Sequence, residues 1–434
     1  MSLKSMLMPA ITAWWLSPAR RQRLRASAER RRIRQSQVHS VHYFHQVDDP
    51  YSALMVQCLP SLLARYDIAL DAHVVSPPSD AAAPDRERLI AYSRKDAAWL
   101  AQQYGLTFVD TGHQPSAHAL DHAEAACVMA IDQGTFVEQA QHLSTSLWTT
   151  TAKATEPQTR PPEATTHAVQ AHLQASDACR ERSGHYSGGM LYYAGEWYWG
   201  LDRLHHLESR LQALGASKPG TSGFMFAPEA ASQWPTLDEP AVVDFFFSFR
   251  SPYSHIAAFR LFALTRETNI QVRLRYVLPM VMRGLAVPRN KRMYISQDAA
   301  REAERLGIAF GRICDPVGRP TERGLSLMPL AEFHGLGQAF VLSFMRGVWS
   351  EGLDAGSDRD LRTITDRAGL LWTEVCKALE KTQWRETAEA NRQDMLNLGL
   401  WGVPSFRLDD TAVWGQDRLS ALEQTLRQRS HAAL

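Results

Sequence analysis

Cysteine is scarce in this chain of 434 residues, and its five copies (Cys58, Cys127, Cys179, Cys314, Cys376) form no CxxC pair. An odd number of widely spaced thiols excludes a disulfide framework and a cysteine-built structural zinc site, and it fits a reducing, cytoplasmic setting. Long apolar runs are also missing. No stretch approaches the roughly 18–20 residues that a membrane-spanning helix needs, because charge or proline interrupts each one. Net charge is nearly absent as well: 47 basic against 46 acidic side chains leave +1. No global field therefore draws the protein to nucleic acid or membrane, and neither a nucleic-acid partner nor a membrane span is expected.

What the sequence has instead is ordinary globular composition, 45% hydrophobic and 21% charged. Its length exceeds what one hydrophobic core serves and implies two domains. Residues 1–40 stand apart. A weakly apolar stretch with Trp14 and Trp15 precedes Arg20, Arg21, Arg23, Arg25, Arg30, Arg31, Arg32 and Arg34. A secretory signal places its charges first, so this order reads as a solvated basic helix or frayed arm, or as a contact for a membrane surface or an acidic partner.

An internal repeat organises the remainder. Val41–Ser52 aligns with Val243–Ser254 at an offset of 202, and the register holds without a gap over 68 positions to Phe108 and Phe310, with 17 identities. Among these are Pro50/Pro252, Tyr51/Tyr253, Ser52/Ser254, Asp96/Asp298 and Gly105/Gly307. The copies meet again at Trp199-Gly-Leu-Asp-Arg-Leu204 and Trp414-Gly-Gln-Asp-Arg-Leu419, now offset by 215. Residues 214–240, rich in Gly, Ser and Pro, read as a linker between a first domain at 41–213 and a second at 241–430.

Within the second copy, Val242 to Phe249 has the apolar run of a strand buried on both faces, and Pro252 opens an amphipathic helix to about Arg266. Ile270 to Val277 alternates as a strand, and residues 295–396 follow helical spacing. Pro404–Leu408 and Ala412–Trp414 are short strands, closed by a helix from Gln416. A βαβ unit, a helical insertion and a ββα unit describe an α/β thioredoxin-like fold, here in two tandem copies.

Three segments carry candidate chemistry. Ser251 stands as N-cap before Pro252, where a helix amino end stabilises an anion and a hydroxyl can donate to it, although capping alone explains the pattern. Pro404 opens a strand, and in a thioredoxin-like frame a cis proline there leaves the Val403 backbone to pair with an extended ligand. Asp417 either caps the last helix or binds a ligand ammonium group. Arg250 adds positive charge beside Ser251. His334, His113, His118, His122 and His142 lack ligand spacing, and no metal is expected.

Four segments together resemble a known family: Asp244-Phe-Phe-Phe-Ser-Phe-Arg-Ser-Pro-Tyr-Ser254, Lys291-Arg-Met-Tyr294 followed by Asp298, Gly402-Val-Pro404, and Trp414-Gly-Gln-Asp-Arg418. Over residues 241–428 they look like the 2-hydroxychromene-2-carboxylate isomerases and kappa-class glutathione transferases of the DsbA-like thioredoxin group. The resemblance implies glutathione as cofactor. Ser251 would hold its sulfur as thiolate, Val403 would pair with the tripeptide beside cis-Pro404, and Gln416 and Asp417 would hold the γ-glutamyl end. Lys291 would contact the glutathione or a substrate carboxylate. The implied reaction is thiolate addition to, and elimination from, a small conjugated or aromatic acid. DsbA-type thiol exchange is excluded, because Ser251 and Ser254 occupy the two cysteine positions. A non-catalytic thioredoxin-like scaffold is the alternative.

The first copy departs from this pattern. Asp49 stands where Ser251 does, Leu89 where Lys291 does, and Gly189 where Pro404 does. A carboxylate beside a thiol opposes thiolate formation, so 41–213 reads as a degenerate copy, standing in for the second subunit of a homodimer.

Overall fold

The computed structural model describes residues 3–149, 163–228 and 233–432. It contains two four-stranded sheets. The first has the order β2-β1-β3-β4, from β1 (His39–His45), β2 (Ile68–Val74), β3 (Met190–Tyr193) and β4 (Glu196–Trp199). The second repeats it as β6-β5-β7-β8, from β5 (Val242–Phe247), β6 (Gln271–Tyr276), β7 (Ser405–Leu408) and β8 (Thr411–Trp414). In each, the leading strand pairs in parallel with the strand after its helix and antiparallel with the terminal hairpin. Helices fill the interval between the second and third strands: Arg86–Tyr104 to Glu163–Arg182 in the first, Arg289–Arg305 to Trp384–Asn397 in the second.

The chain divides into two compact units. Described residues of 22–230 together with Pro288–Tyr294 form the one, and those of 1–21, 231–287 and 295–434 form the other. Each has its own core. Val41, Tyr43, Leu54, Leu59 and Leu191 are fully enclosed in the first unit. Val243, Phe245, Phe247, Phe340 and Phe344 are fully enclosed in the second, where Phe245 stacks on Phe406 of β7. Val242 alone on β5 is exposed, because it begins the strand ahead of the sheet's cover.

The amino-terminal region is helical at Leu3–Trp15 and Pro18–Arg34. Leu16, between them, enters the second unit's core, and the Thr12 hydroxyl accepts the Ile313 N–H at 2.9 Å. The arginine-rich helix Pro18–Arg34 buries no residue, as expected of a solvated basic helix; Arg25 makes a two-pronged ion pair with Glu196 at 2.6 and 2.7 Å. The Gly- and Pro-rich segment is anchored rather than loose. Glu208 accepts the Met225 N–H at 3.0 Å, and Trp234 is buried.

The sequence repeat recurs as repeated hydrogen bonds. Tyr51 donates to Asp96 at 2.8 Å, and Tyr253 donates to Asp298 at 2.8 Å. The Ser52 hydroxyl accepts the Gln46 N–H as the Ser254 hydroxyl accepts that of Ser248. Gly200 N–H reaches the Gly189 carbonyl at 3.0 Å, and Gly415 N–H reaches that of Pro404 at 2.9 Å.

The tyrosine hydroxyls serve buried carboxylates, and such bonds contribute more than neutral ones. Tyr51→Phe and Tyr253→Phe are each expected to lower the stability of their own unit by about 1.5 kcal/mol. Hydrogen exchange of β1–β2 and β5–β6 reads the two units separately; equal loss of protection in both units from either variant would contradict this.

Candidate functional site

The site of the second unit is assembled where β5 ends. Phe249 is held by Trp349, whose indole N–H donates to its carbonyl at 3.0 Å, so the chain turns sharply into the helix Pro252–Thr265. Pro252 at the first helical position needs no N–H partner, and Ser251 caps the helix: its Oγ accepts the Ser254 N–H at 3.1 Å. The same hydroxyl donates to the Val403 carbonyl at 3.4 Å, a long bond that the proton can leave for a better acceptor. Ser251 and Val403 are both half-buried. The Val403–Pro404 peptide is cis, as the thioredoxin-like frame implies. Among the described residues no partner is found for the Val403 N–H, which leaves one backbone donor beside the capping hydroxyl. Trp401 and Trp414 meet edge to face, with centroids 5.1 Å apart, and flank this segment.

Gln416 and Asp417 follow β8 in a single 3₁₀ turn, Gln416–Arg418. Gln416 is buried and internally satisfied. Its Oε1 accepts from Arg260 at 2.9 Å, and its amide donates to Glu302 at 3.3 Å and to Asp417. Asp417 is half-buried. The network therefore orients Asp417, while Gln416 has little hydrogen-bonding capacity left for a ligand.

Two charges read at the site from sequence have partners of their own. Arg250 makes a two-pronged pair with Asp315 at 2.8 and 2.9 Å, so its charge is compensated rather than offered to an anion at Ser251. Lys291 is buried in the first unit, where its ammonium donates to the Ala82 carbonyl at 2.6 Å and lies 5.7 Å from the Tyr186 ring. Burial pulls its pKa down to about 8. The spacing before Tyr294 could not reveal this, because the segment Pro288–Tyr294 packs with the other unit.

The first unit builds the same turn from different residues. Asp49 caps the helix Pro50–Arg65, its Oδ2 accepting both the backbone N–H and the hydroxyl of Ser52 at 2.8 Å. Gly189 stands over it with φ +65°, and a Cβ there would lie 3.0 Å from that carboxylate oxygen. The place that Pro404 takes in the second unit is thus occupied by bare backbone against an acid. Burial raises the Asp49 carboxyl to about 6, against the two Ser52 bonds, which lower it.

Comparison with known proteins finds its matches in the half of the chain that holds this site. Residues 242–427 match the DSBA-like thioredoxin domain. The second half of the chain carries that domain. Homologues align over the same half. The 2-hydroxychromene-2-carboxylate isomerase of Sphingobium xenophagum is 26% identical over 196 residues, which is 42% of this chain and 97% of the relative. The protein of that name from Pseudomonas putida is 23% identical over 197 residues, 43% of this chain and 94% of the relative. A solved 2-hydroxychromene-2-carboxylate isomerase is 24% identical, covering 43% of this chain and 95% of that one with a TM-score of 0.38. No helix among the described residues is long and apolar enough to cross a membrane.

Histidines at positions that linear spacing did not single out also converge. His42, Asp71 and His73 bring their ligand atoms within 4.8 Å of one another on the first sheet. The alternation Asp71-Ala72-His73 places two of them on one strand face, but the third comes from the β1–β2 register.

Because the folded pKa of Asp49 lies above the ordinary 3.8, the folded state holds the proton more tightly than the unfolded one. Its contribution is therefore most favourable below pH 3.8 and declines as pH rises to about 6, beyond which the full cost of a buried charge persists. Asp49→Asn keeps a capping oxygen and removes the charge. It is expected to stabilise the protein at pH 7 and to remove this part of the pH slope, read from urea midpoints across pH 4–7; an unchanged slope would refute the assignment.

Proposed function

We propose that the second unit is a glutathione-dependent isomerase or transferase of the 2-hydroxychromene-2-carboxylate isomerase type, acting on a small conjugated or aromatic acid. The observation that carries this reading is the Ser251 capping hydroxyl lying 3.4 Å from the carbonyl of Val403, whose own N–H has no partner among the described residues and whose bond to Pro404 is cis. Homologues bearing the isomerase name align along nearly their full length with this half of the chain. The residues present fit glutathione at three places. Ser251 Oγ can swing its proton from the Val403 carbonyl to a sulfur anion, at the positive end of the helix Pro252–Thr265. Val403 can pair its N–H with an extended peptide. Asp417, steadied by Gln416 and Arg260, can take the α-ammonium of the γ-glutamyl end.

When bound, glutathione supplies a thiolate that adds to a conjugated double bond and leaves again, the bond rotating in between. The chain contributes by holding the sulfur deprotonated. One charge-assisted hydrogen bond from Ser251, of about 1.5–3 kcal/mol, corresponds to a pKa lowered by about 1–2 units. Trp401 and Trp414 offer apolar faces to an aromatic acid. With Arg250 paired to Asp315, its charge is not the one that recognises the acid's carboxylate. That commitment also supports a second reading, in which the site binds glutathione without turnover.

The recurrence of strand order and of the Tyr–Asp, Ser and Gly hydrogen bonds supports an origin by tandem duplication, with the first unit no longer carrying a thiol site.

Calorimetry of glutathione binding to the intact protein, Ser251→Ala and Asp417→Ala tests the proposal. Asp417→Ala is expected to weaken binding at least tenfold. Ser251→Ala is expected to keep binding while raising the bound thiol pKa by about 1–2 units, read from thiolate absorbance. Absence of heat at millimolar glutathione would sink the cofactor assignment; binding with no change in either variant would sink the site.

A further inference from the structure

The strands β1 and β2 run in parallel with His42 opposite Asp71 and Phe44 opposite His73. Residues two apart on a strand share a face, so Asp71 and His73 project together and the register adds His42 between them. The three side chains meet closely. His42 Nδ1 lies 3.0 Å from His73 Nε2 and 2.9 Å from an Asp71 carboxylate oxygen, and His73 Nε2 lies 3.5 Å from the other. The imidazoles stack at 5.3 Å with 16° between planes, and Phe44 backs His73 at 4.6 Å. Solvent reaches the cluster, since His42, Asp71 and His73 expose 30%, 48% and 14% of their side chains.

Two features separate this arrangement from an ordinary surface ion pair. The first is that one ligand atom from each of three side chains lies within 4.8 Å of the other two, and each imidazole nitrogen also nears an oxygen of the same carboxylate. Zinc bonds of about 2.0–2.1 Å in a tetrahedron set neighbouring ligand atoms about 3.3 Å apart, and the separations here, 2.9 to 3.5 Å, bracket that edge. The second is the contrast with the other unit. The repeat offset of 202 maps His42, Asp71 and His73 onto Asp244, Arg273 and Arg275. There Arg273 pairs with Asp244 at 2.5 Å and Arg275 with Asp394, a permanently cationic set that cannot take a metal. The same lattice points of the same sheet thus carry an ion pair in one copy and a two-imidazole, one-carboxylate donor set in the other.

We propose that His42, Asp71 and His73 form a binding site for a divalent cation of the zinc class, with a fourth position open to water. Neutral imidazoles and a carboxylate suit such a cation, and the exposed side leaves room for that water or an added ligand. The cation would lie over the first sheet and tie β1 to β2. The site owes nothing to the thiol chemistry proposed for the second unit, so either can fail without the other.

The full chain, stripped with chelator, would be titrated with zinc chloride by calorimetry and with cobalt(II) by visible absorption. One equivalent binding at micromolar affinity or tighter is expected, with the intense absorption of tetrahedral cobalt. His42→Ala and His73→Ala should each weaken that equivalent at least tenfold, and Asp71→Asn to a smaller degree. Circular dichroism checks folding, and His42→Gln, which keeps a polar side chain, serves if the alanine variant unfolds. No binding at micromolar metal, or an unchanged equivalent in a folded His42→Ala/His73→Ala double variant, would overturn the proposal.

Discussion

In both units a strand runs into a helix whose first turn is buried, and the cap at that junction constrains everything nearby. Pro252 and Ser254 in the one unit, and Pro50 and Ser52 in the other, lie beneath the surface. The N–H groups of Ser254 and Ser52 cannot be left to water, so a side chain must accept from each. Serine and aspartate both satisfy that demand, as Ser251 and Asp49 do. Capping ranks them nearly equal, but they differ in what remains afterwards. Serine keeps a proton to donate. Aspartate, deprotonated, keeps only negative charge. One position thus fixes the fold in both copies while setting opposite electrostatic conditions for an anion at the helix end.

The packing around the cap follows the same division. At Pro404 the second unit presents a backbone carbonyl to Ser251 and a free N–H at Val403, so polar groups of both signs face the hydroxyl. At Gly189 the first unit brings backbone close to the Asp49 carboxylate, at a positive φ where a side chain would be strained and crowded. Glycine and the acid fit one another there, since a Cβ at Gly189 would lie 3.0 Å from the Asp49 carboxylate oxygen.

Much of this was legible in the sequence because it is local or periodic. The helix at Pro252, the strand at Gln271–Tyr276 and the β7–β8 hairpin follow from a capping pattern, alternation and short apolar runs. The offset of 202 anticipates the paired Tyr51–Asp96 and Tyr253–Asp298 bonds, since identical residues at identical spacing face the same partner. What escaped depends on distant partners. Arg250 reads as free charge until Asp315, 65 residues on, neutralises it. Gln416 reads as a ligand contact until Arg260 and Glu302 occupy its amide. Lys291 follows a motif, yet its short segment packs with the opposite unit. His42 and His73 are 31 residues apart, and only the parallel register joins them.

The cross-strand positions show why such distant partners diverge while the core does not. Residues on the inner faces of β1 and β5 are held to apolar identity by packing: Val41 and Val243 are identical, and Tyr43 and Phe245 differ by one hydroxyl. On the opposite face Phe44 and Phe246 are likewise buried and identical, but at one cross-strand pair in each sheet the requirement is that neighbouring charges complement one another. His42 opposite Asp71 and Asp244 opposite Arg273 both meet it, with the acid on opposite strands. A reversal of that kind leaves the sheet register intact, since the pairing backbone is indifferent to which strand bears the acid. It changes the chemistry completely, because imidazole can give up its proton and coordinate where guanidinium cannot. At this cross-strand pair the two sheets therefore carry different chemistry on the same backbone register.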